Sequence, residues 1–273
     1  MQKHFFSIFF IVSLALCATP AWAVPERIFL DDMTSAEVRG AVKDGKSTII
    51  IPVGGTEQTG PHVALGKHNV RVKVLSGKVA EALGNALVAP VVTYVPEGNV
   101  DPASGHMRFS GTISVPESAF KSIIDGAARS LRQHGFVNIV ILGDHGGYQP
   151  ALKAVAAGLN RDWAKTPSNP ARAHFVSAYY AATQTTYVKA LRSKGLTDHQ
   201  IGLHGGVADV ALSLAVDPAM VRAELLAAAA QEGPAGGTVG DPRLATSVLG
   251  QLGVDAVVLE TLQAIRRAVG APR

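Results

Sequence analysis

Thr48-Ile49-Ile50-Ile51-Pro52-Val53-Gly54-Gly55-Thr56-Glu57-Gln58-Thr59-Gly60-Pro61-His62, continued by residues 63–69, is the stretch on which the fold turns. It opens as a β-branched apolar run of the length of a short buried strand. Gly54-Gly55 ends the run and releases a polar segment carrying Glu57, His62, Lys67 and His68. In an open α/β sheet, ligands bind outside the carboxyl ends of the strands, so a site would sit in this segment. Read alone, the same residues also fit a polar surface loop.

Working outward, residues 70–83 have helical periodicity and stop at Gly84, and residues 86–92 read as a second strand. Pro116 opens a helix to about residue 133, closed by Gly135. Residues 137–142 form a third apolar run that ends in Gly143-Asp144-His145-Gly146-Gly147-Tyr148. A helix over 150–163 and a fourth strand over 174–178 follow. Upstream, Thr34 or Ser35 caps a helix that runs to Lys43 and stops at Asp44-Gly45. After residue 178 the chain is alanine-rich and mostly helical, broken at Leu203-His204-Gly205-Gly206 and over 233–242. This alternation predicts a single-domain α/β fold, a mostly parallel sheet with helices on both faces.

The N-terminus carries an address. Lys3 and His4 precede an apolar run from Phe5 to Cys17, and Ala21-Trp22-Ala23 supplies a small-x-small cleavage site. Residues 1–23 are therefore expected to be a signal peptide, residues 24–273 the α/β domain, and the location periplasmic or secreted. Cleavage removes Cys17, the only cysteine, which excludes thiolate chemistry and disulfides from the mature chain. It also removes Lys3, which lowers the formal charge from +4 to +3. With no dense Lys/Arg run, nucleic acid is not an expected partner. No further apolar stretch of spanning length is read, so no membrane association is expected after cleavage.

Four polar, glycine-bearing loops gather the candidate chemistry: Glu57 and His68; Glu97, Asp101 and His106; Asp144 and His145; His204 and Asp209. Imidazoles and carboxylates in such a set suit zinc, manganese or iron. Each has an alternative: His68 and His106 as surface residues, Asp144 as a helix cap, Glu97 as a solvated turn residue. His145 stands out, because Gly146 and Gly147 beside it let a ligand approach the backbone.

Five ordered segments resemble the creatininase family of metal-dependent amidohydrolases. Residues 54–68 are similar to its G-x-x-E-Q-H-G-P-H-L-P-L-G-x-D signature, and residues 105–114 to H-x-x-F-P-G-T-I-S. Residues 143–148 resemble the turn N-G-H-G-G-N, residues 204–209 the H-G-G-x-x-E segment, and residues 240–246 the G-D-P-x-x-A-T element. The resemblance implies a creatininase-like fold and a divalent metal, zinc first. It implies Glu57, His68, His145 and Asp209 as ligands, with Asp144 as a fifth or as a carboxylate orienting His145. It further implies His204 as proton donor to a leaving nitrogen, and His106, Gly146 and Gly147 at a small-molecule substrate. A homo-oligomer, a hexamer in relatives, is implied as well.

Thr59 stands where the family has a histidine ligand, and His68 where it has the aspartate that bridges two metals. Asp144 replaces a glycine, Gly143 an asparagine, and Asp209 shortens the family glutamate. A neutral imidazole has one free lone pair and cannot bridge two cations as a carboxylate does. The expectation is thus a mononuclear or rearranged centre. The expected reaction is hydrolysis of a non-peptide C–N bond in a small, cyclic amide. Creatinine itself is a weaker candidate, because its enzyme closes tryptophans over the substrate and this mature chain keeps only Trp163. The alternative is a non-catalytic exported small-molecule-binding protein with a decayed metal site.

Overall fold

Thr34 and Glu37 cap one another, the Glu37 N–H donating to Thr34 Oγ1 at 3.3 Å and the Thr34 N–H to the Glu37 carboxylate at 2.6 Å. This starts α1 (Ser35–Lys43) where the sequence placed it. The computed structural model describes residues 27–166 and 168–270; the expected signal peptide lies outside them. After α1 come β1 (Thr48–Val53), α2 (Lys67–Leu83), β2 (Ala86–Val88), α3 (Glu117–Gln133), β3 (Asn138–Gly143), α4 (Gln149–Trp163) and β4 (Arg172–Phe175). The C-terminal part adds α5 (Ala178–Gln184), α6 (Thr186–Ser193), α7 (Asp198–Ile201), α8 (Val207–Val216), α9 (Leu226–Glu232) and α10 (Ser247–Val269).

The strands form one fully parallel sheet in the order β2-β1-β3-β4. Alternate side chains enter two cores. Ile50, Val88, Val140 and Leu142 meet Val72 and Leu75 of α2 and the C-terminal helices. Ile49, Ile51, Leu87, Ile139 and Ile141 meet Phe120 and Ile124 of α3 and Leu152 and Leu159 of α4. Burial on both faces is why β1 reads as an unbroken apolar run. The chain runs from β1 to β2 in one direction and from β3 to β4 in the other. The order therefore reverses between β1 and β3, and their carboxyl ends frame the crevice where such sheets bind ligands.

Several boundaries differ from the sequence reading. β2 stops at Val88 instead of reaching residue 92: Pro52 of β1 has no N–H to continue the ladder, and the next donation to β1 after Ala89 comes from Val92, to the Pro52 carbonyl at 2.9 Å. β4 ends at Phe175 and Ala178 already belongs to α5; Asn160 fixes the strand by bonding the Ala173 N–H at 2.9 Å and its C=O at 2.8 Å. The difference that matters most is in α2, which begins at Lys67 and so carries Lys67 and His68 on its first turn. Finally, the 23 residues of α10 are long and apolar enough to cross a membrane by length and composition, a feature not read from sequence. In this fold α10 packs against α8, α5, α2 and α6, burying Gly250, Gly253, Val254 and Val257.

Candidate metal centre

The crevice is held by Tyr148, which is buried. Its hydroxyl accepts the N–H groups of Asp144 and His145 at 3.1 and 3.0 Å. It lies 2.9 and 2.6 Å from the carbonyls of Val53 and Gly54, to which its one proton can be given. One side chain thus ties the ends of β1 and β3 together and fixes the turn bearing His145. Gly55 is equally specific: a Cβ there would lie 2.7 Å from Glu97 Oε1, so only glycine leaves room for that carboxylate.

Glu57, Glu97, His106 and His145 each aim one donor atom into a common space, all within 4.8 Å of one another. His106 Nε2 and His145 Nε2 lie 3.1 and 3.4 Å from Glu57 Oε2, and His145 Nδ1 lies 3.7 Å from Glu97 Oε2. Among the described residues, Glu57 Oε2 and both Glu97 oxygens are nevertheless buried with no hydrogen-bond partner. An unpaired buried carboxylate is costly. Burial, and then the Glu57 carboxylate beside it, push the Glu97 carboxyl up to about 9. Burial pulls His145 down to about 3 against the attraction of Glu57, and lowers His106 as well, so both rings are neutral and can coordinate. Two carboxyl groups and two neutral imidazoles aimed into one space are a donor set that suits zinc, manganese or iron.

The ligand set expected from sequence therefore divides. Glu57 and His145 lie in this group; His68, Asp144 and Asp209 lie beside it in a network with two cations. His68 Nε2 is 2.7 Å from Glu57 Oε1 and Nδ1 is 2.5 Å from Asp144 Oδ2, so both ring nitrogens already face carboxylate oxygens. Arg71 donates to Asp144 Oδ2 from Nε at 2.9 Å and from Nη2 at 2.7 Å, and from Nη1 to Asp209 Oδ1 at 2.8 Å. Lys67 Nζ is 3.2 Å from Asp209 Oδ2 and 3.3 Å from Glu57 Oε1. Asp144 further accepts the Tyr179 hydroxyl at 2.9 Å. Burial would raise Asp209, but Lys67 and Arg71 outweigh it and hold the carboxyl well below its usual range.

His106, expected at the substrate, is placed among the metal-compatible donors, as is Glu97, which the sequence reading left out of the ligand set. The signal available for Glu97 was its place between an apolar run and Gly98, the same context that singled out His145. Thr59 is fully buried and does not line the cavity; it faces Gly205.

The cavity over these groups holds about 380 Å³. Gly146 and Gly147 line it, and a Cβ on Gly146 would come within 2.6 Å of the Tyr180 hydroxyl. Its walls include Tyr180, Tyr187, Val188 and Leu212, whereas Trp163 lies in the core beneath α3 and α4. His204 also lines it, with Nε2 2.9 Å from the Gln58 carbonyl oxygen and Nδ1 3.9 Å from Glu57 Oε1. Burial and the Lys67 charge bring His204 down to about 4.

Fold and donors together define an α/β protein with a candidate metal site at the switch point of a parallel sheet. The chain belongs to the creatininase family, whose model, described as creatinine amidohydrolase, matches residues 31–265. It is 32% identical over 136 residues to the mycofactocin precursor peptide peptidase of Mycolicibacterium smegmatis, a match covering 46% of this chain and 52% of that relative. It is 24% identical over 197 residues to the creatinine amidohydrolase of Pseudomonas putida, covering 71% and 74%. A solved creatinine amidohydrolase shares the fold with a TM-score of 0.73 at 23% identity, over 91% of this chain and 100% of that one. Similar structures include a manganese creatininase and a zinc–zinc creatininase mutant, with TM-scores of 0.72 and 0.71. Both are 23% identical, over 89% of this chain and 99% and 98% of theirs.

Proposed function

We propose that this protein is a metal-dependent hydrolase of a non-peptide C–N bond in a small, cyclic amide. Glu57, Glu97, His106 and His145 would hold one divalent ion, zinc first, with manganese or iron as alternatives. The observation that carries the reading is the set of three buried carboxylate oxygens with no partner, gathered with two neutral imidazoles at the switch point. Family membership and the manganese and zinc–zinc forms among similar structures support it. Bound there, such an ion polarises a carbonyl and acidifies water.

The protein's own groups do the rest. Because the Gln58 carbonyl can only accept, His204 carries its proton on Nε2 and leaves Nδ1 bare near Glu57. Nδ1 can then take a proton from attacking water and pass it to the departing nitrogen. The cavity volume is in the range of small-molecule sites. Tyr187, on its wall, keeps a buried hydroxyl without a partner that could bond a substrate amide.

Elemental analysis of the purified protein tests the assignment. The expected result is about one equivalent of metal, lost in Glu97→Gln, a change that keeps the side-chain shape and removes its charge. Absence of metal after reconstitution with zinc, manganese and iron would sink the hydrolase reading and leave a small-molecule-binding protein.

A further inference from the structure

The Glu57 carboxylate is shared between two environments. Oε2 faces His106 and His145 in the donor group, while Oε1 is 2.7 Å from His68 Nε2 and 3.3 Å from Lys67 Nζ. Lys67 and Arg71 lie four residues apart on α2 and therefore project from one face, here toward the ends of β1 and β3. Both are buried, their side chains 1% and 5% exposed. Between them they contact Glu57, Asp144 and Asp209, carboxylates that would otherwise form a second anionic cluster beside the first.

Resting on the metal-dependent reading above, we propose that Lys67 and Arg71 are built-in cations in the electrostatic place of a second metal ion. Glu57 then joins one exchangeable divalent ion on Oε2 to a fixed ammonium on Oε1.

Formal charge supports a single ion. Four carboxylates, Glu57, Glu97, Asp144 and Asp209, face the Lys67 and Arg71 cations, which leaves at most two formal negative charges for a single divalent ion to cancel. A second would leave two uncompensated positive charges in a buried site, where unpaired charge is strongly disfavoured. Coordination points the same way. Both His68 nitrogens face carboxylates, and the Asp209 oxygens are divided between Arg71 and Lys67. Among the described residues, each carboxylate oxygen on that side already faces a cation, a ring nitrogen or, for Asp144 Oδ1, the Tyr179 hydroxyl.

The test is metal stoichiometry, independent of catalysis. Chelator-stripped protein is titrated with Zn²⁺ or Mn²⁺ by calorimetry, and the content of desalted samples is confirmed by elemental analysis. Wild type should saturate at about one equivalent even in excess metal. Lys67→Met frees Glu57 Oε1 and Asp209 Oδ2 and should admit a second equivalent; Lys67→Arg, which keeps the cation, should remain at one. Two equivalents in wild type would overturn the inference and leave the metal-dependent reading standing, and this holds whether or not Lys67→Met folds. A folded Lys67→Met that stops at one equivalent would overturn it too. No binding at all would remove the metal-dependent reading itself, and this inference with it.

Discussion

At Arg71 one guanidinium serves two carboxylates, and the sign of its contribution depends on pH. Burial favours the neutral forms of Asp144 and Asp209, yet their cations prevail and both carboxyls lie below their ordinary value of 3.8. A carboxyl depressed on folding contributes stability that is complete above its unfolded value and fades as pH falls through the folded one. Arg71→Met takes a charged partner from Asp144, which keeps His68 and Tyr179, and from Asp209, which keeps Lys67, and breaking such a buried pair costs about 3–5 kcal/mol. Urea denaturation at pH 7 should show that loss. The gap between variant and wild type should narrow as pH falls, because the variant's buried carboxyls, deprived of Arg71, take up protons at a higher pH than those of the wild type. A gap that is constant with pH would mean that Arg71 acts by packing alone. The same buried charges explain which site residues could be read in advance. His145 stood out because strand end and glycines bracket it. His68 was expected among the ligands, and what its sequence context did not show is its contact with Asp144, 76 residues away in the chain. No local pattern reveals such a pairing.

At the scale of the element, the packing of α10 on α8 and α6 rests on missing side chains. A Cβ on Gly250 would overlap the Ala211 carbonyl oxygen, and one on Gly253 would come within 2.9 Å of the Tyr187 ring. Gly250→Ala should therefore destabilise by about 1–3 kcal/mol, because backbone cannot yield as a side chain can. Gly126 in α3 has nothing within 4 Å of the same added atom. There Gly126→Ala should stabilise by about 0.5–1 kcal/mol through helix propensity alone. Opposite shifts in the urea midpoint check both at once, and a Gly250→Ala that leaves the midpoint unchanged or raises it would show that close contact does not set the spacing of α10. Legibility also differs by element. β1 and β3 were clear because burial on both faces demands continuous apolar residues. The start of α2 was not: Lys67 and His68 look like loop residues until Asp209, 142 positions beyond Lys67, neutralises the helix's first turn. β2 was overextended because its own apolar run continues to Val92, whereas the ladder is interrupted from the neighbouring strand, at Pro52.

Over the whole molecule, the candidate site joins segments that the sheet alone does not connect. Glu57 follows β1, Glu97 and His106 lie in the long connection between β2 and α3, and His145 follows β3. Without a cation, burial and the neighbouring Glu57 carboxylate push the Glu97 carboxyl up to about 9, so at neutral pH it holds a proton that a bound ion must displace. A divalent ion that binds the folded protein and not the unfolded chain stabilises it by mass action, about 2.7 kcal/mol at a free concentration one hundred times Kd. For a domain of this size that is a rise in Tm of about 5–10 °C. Calorimetric or fluorimetric melting should accordingly show a fall of that order when a chelator is added, reversed by excess Zn²⁺ or Mn²⁺. Glu97→Gln provides the internal control. It replaces a carboxyl that is protonated in the absence of the ion with a neutral amide of the same shape, so its chelated form should melt close to the chelated wild type, and the added ion should shift it far less. If wild type melts at the same temperature with and without chelator, the three loops are held by protein contacts alone and the four donors form no metal site. If both proteins respond equally, the ion binds elsewhere and Glu97 is not among its ligands.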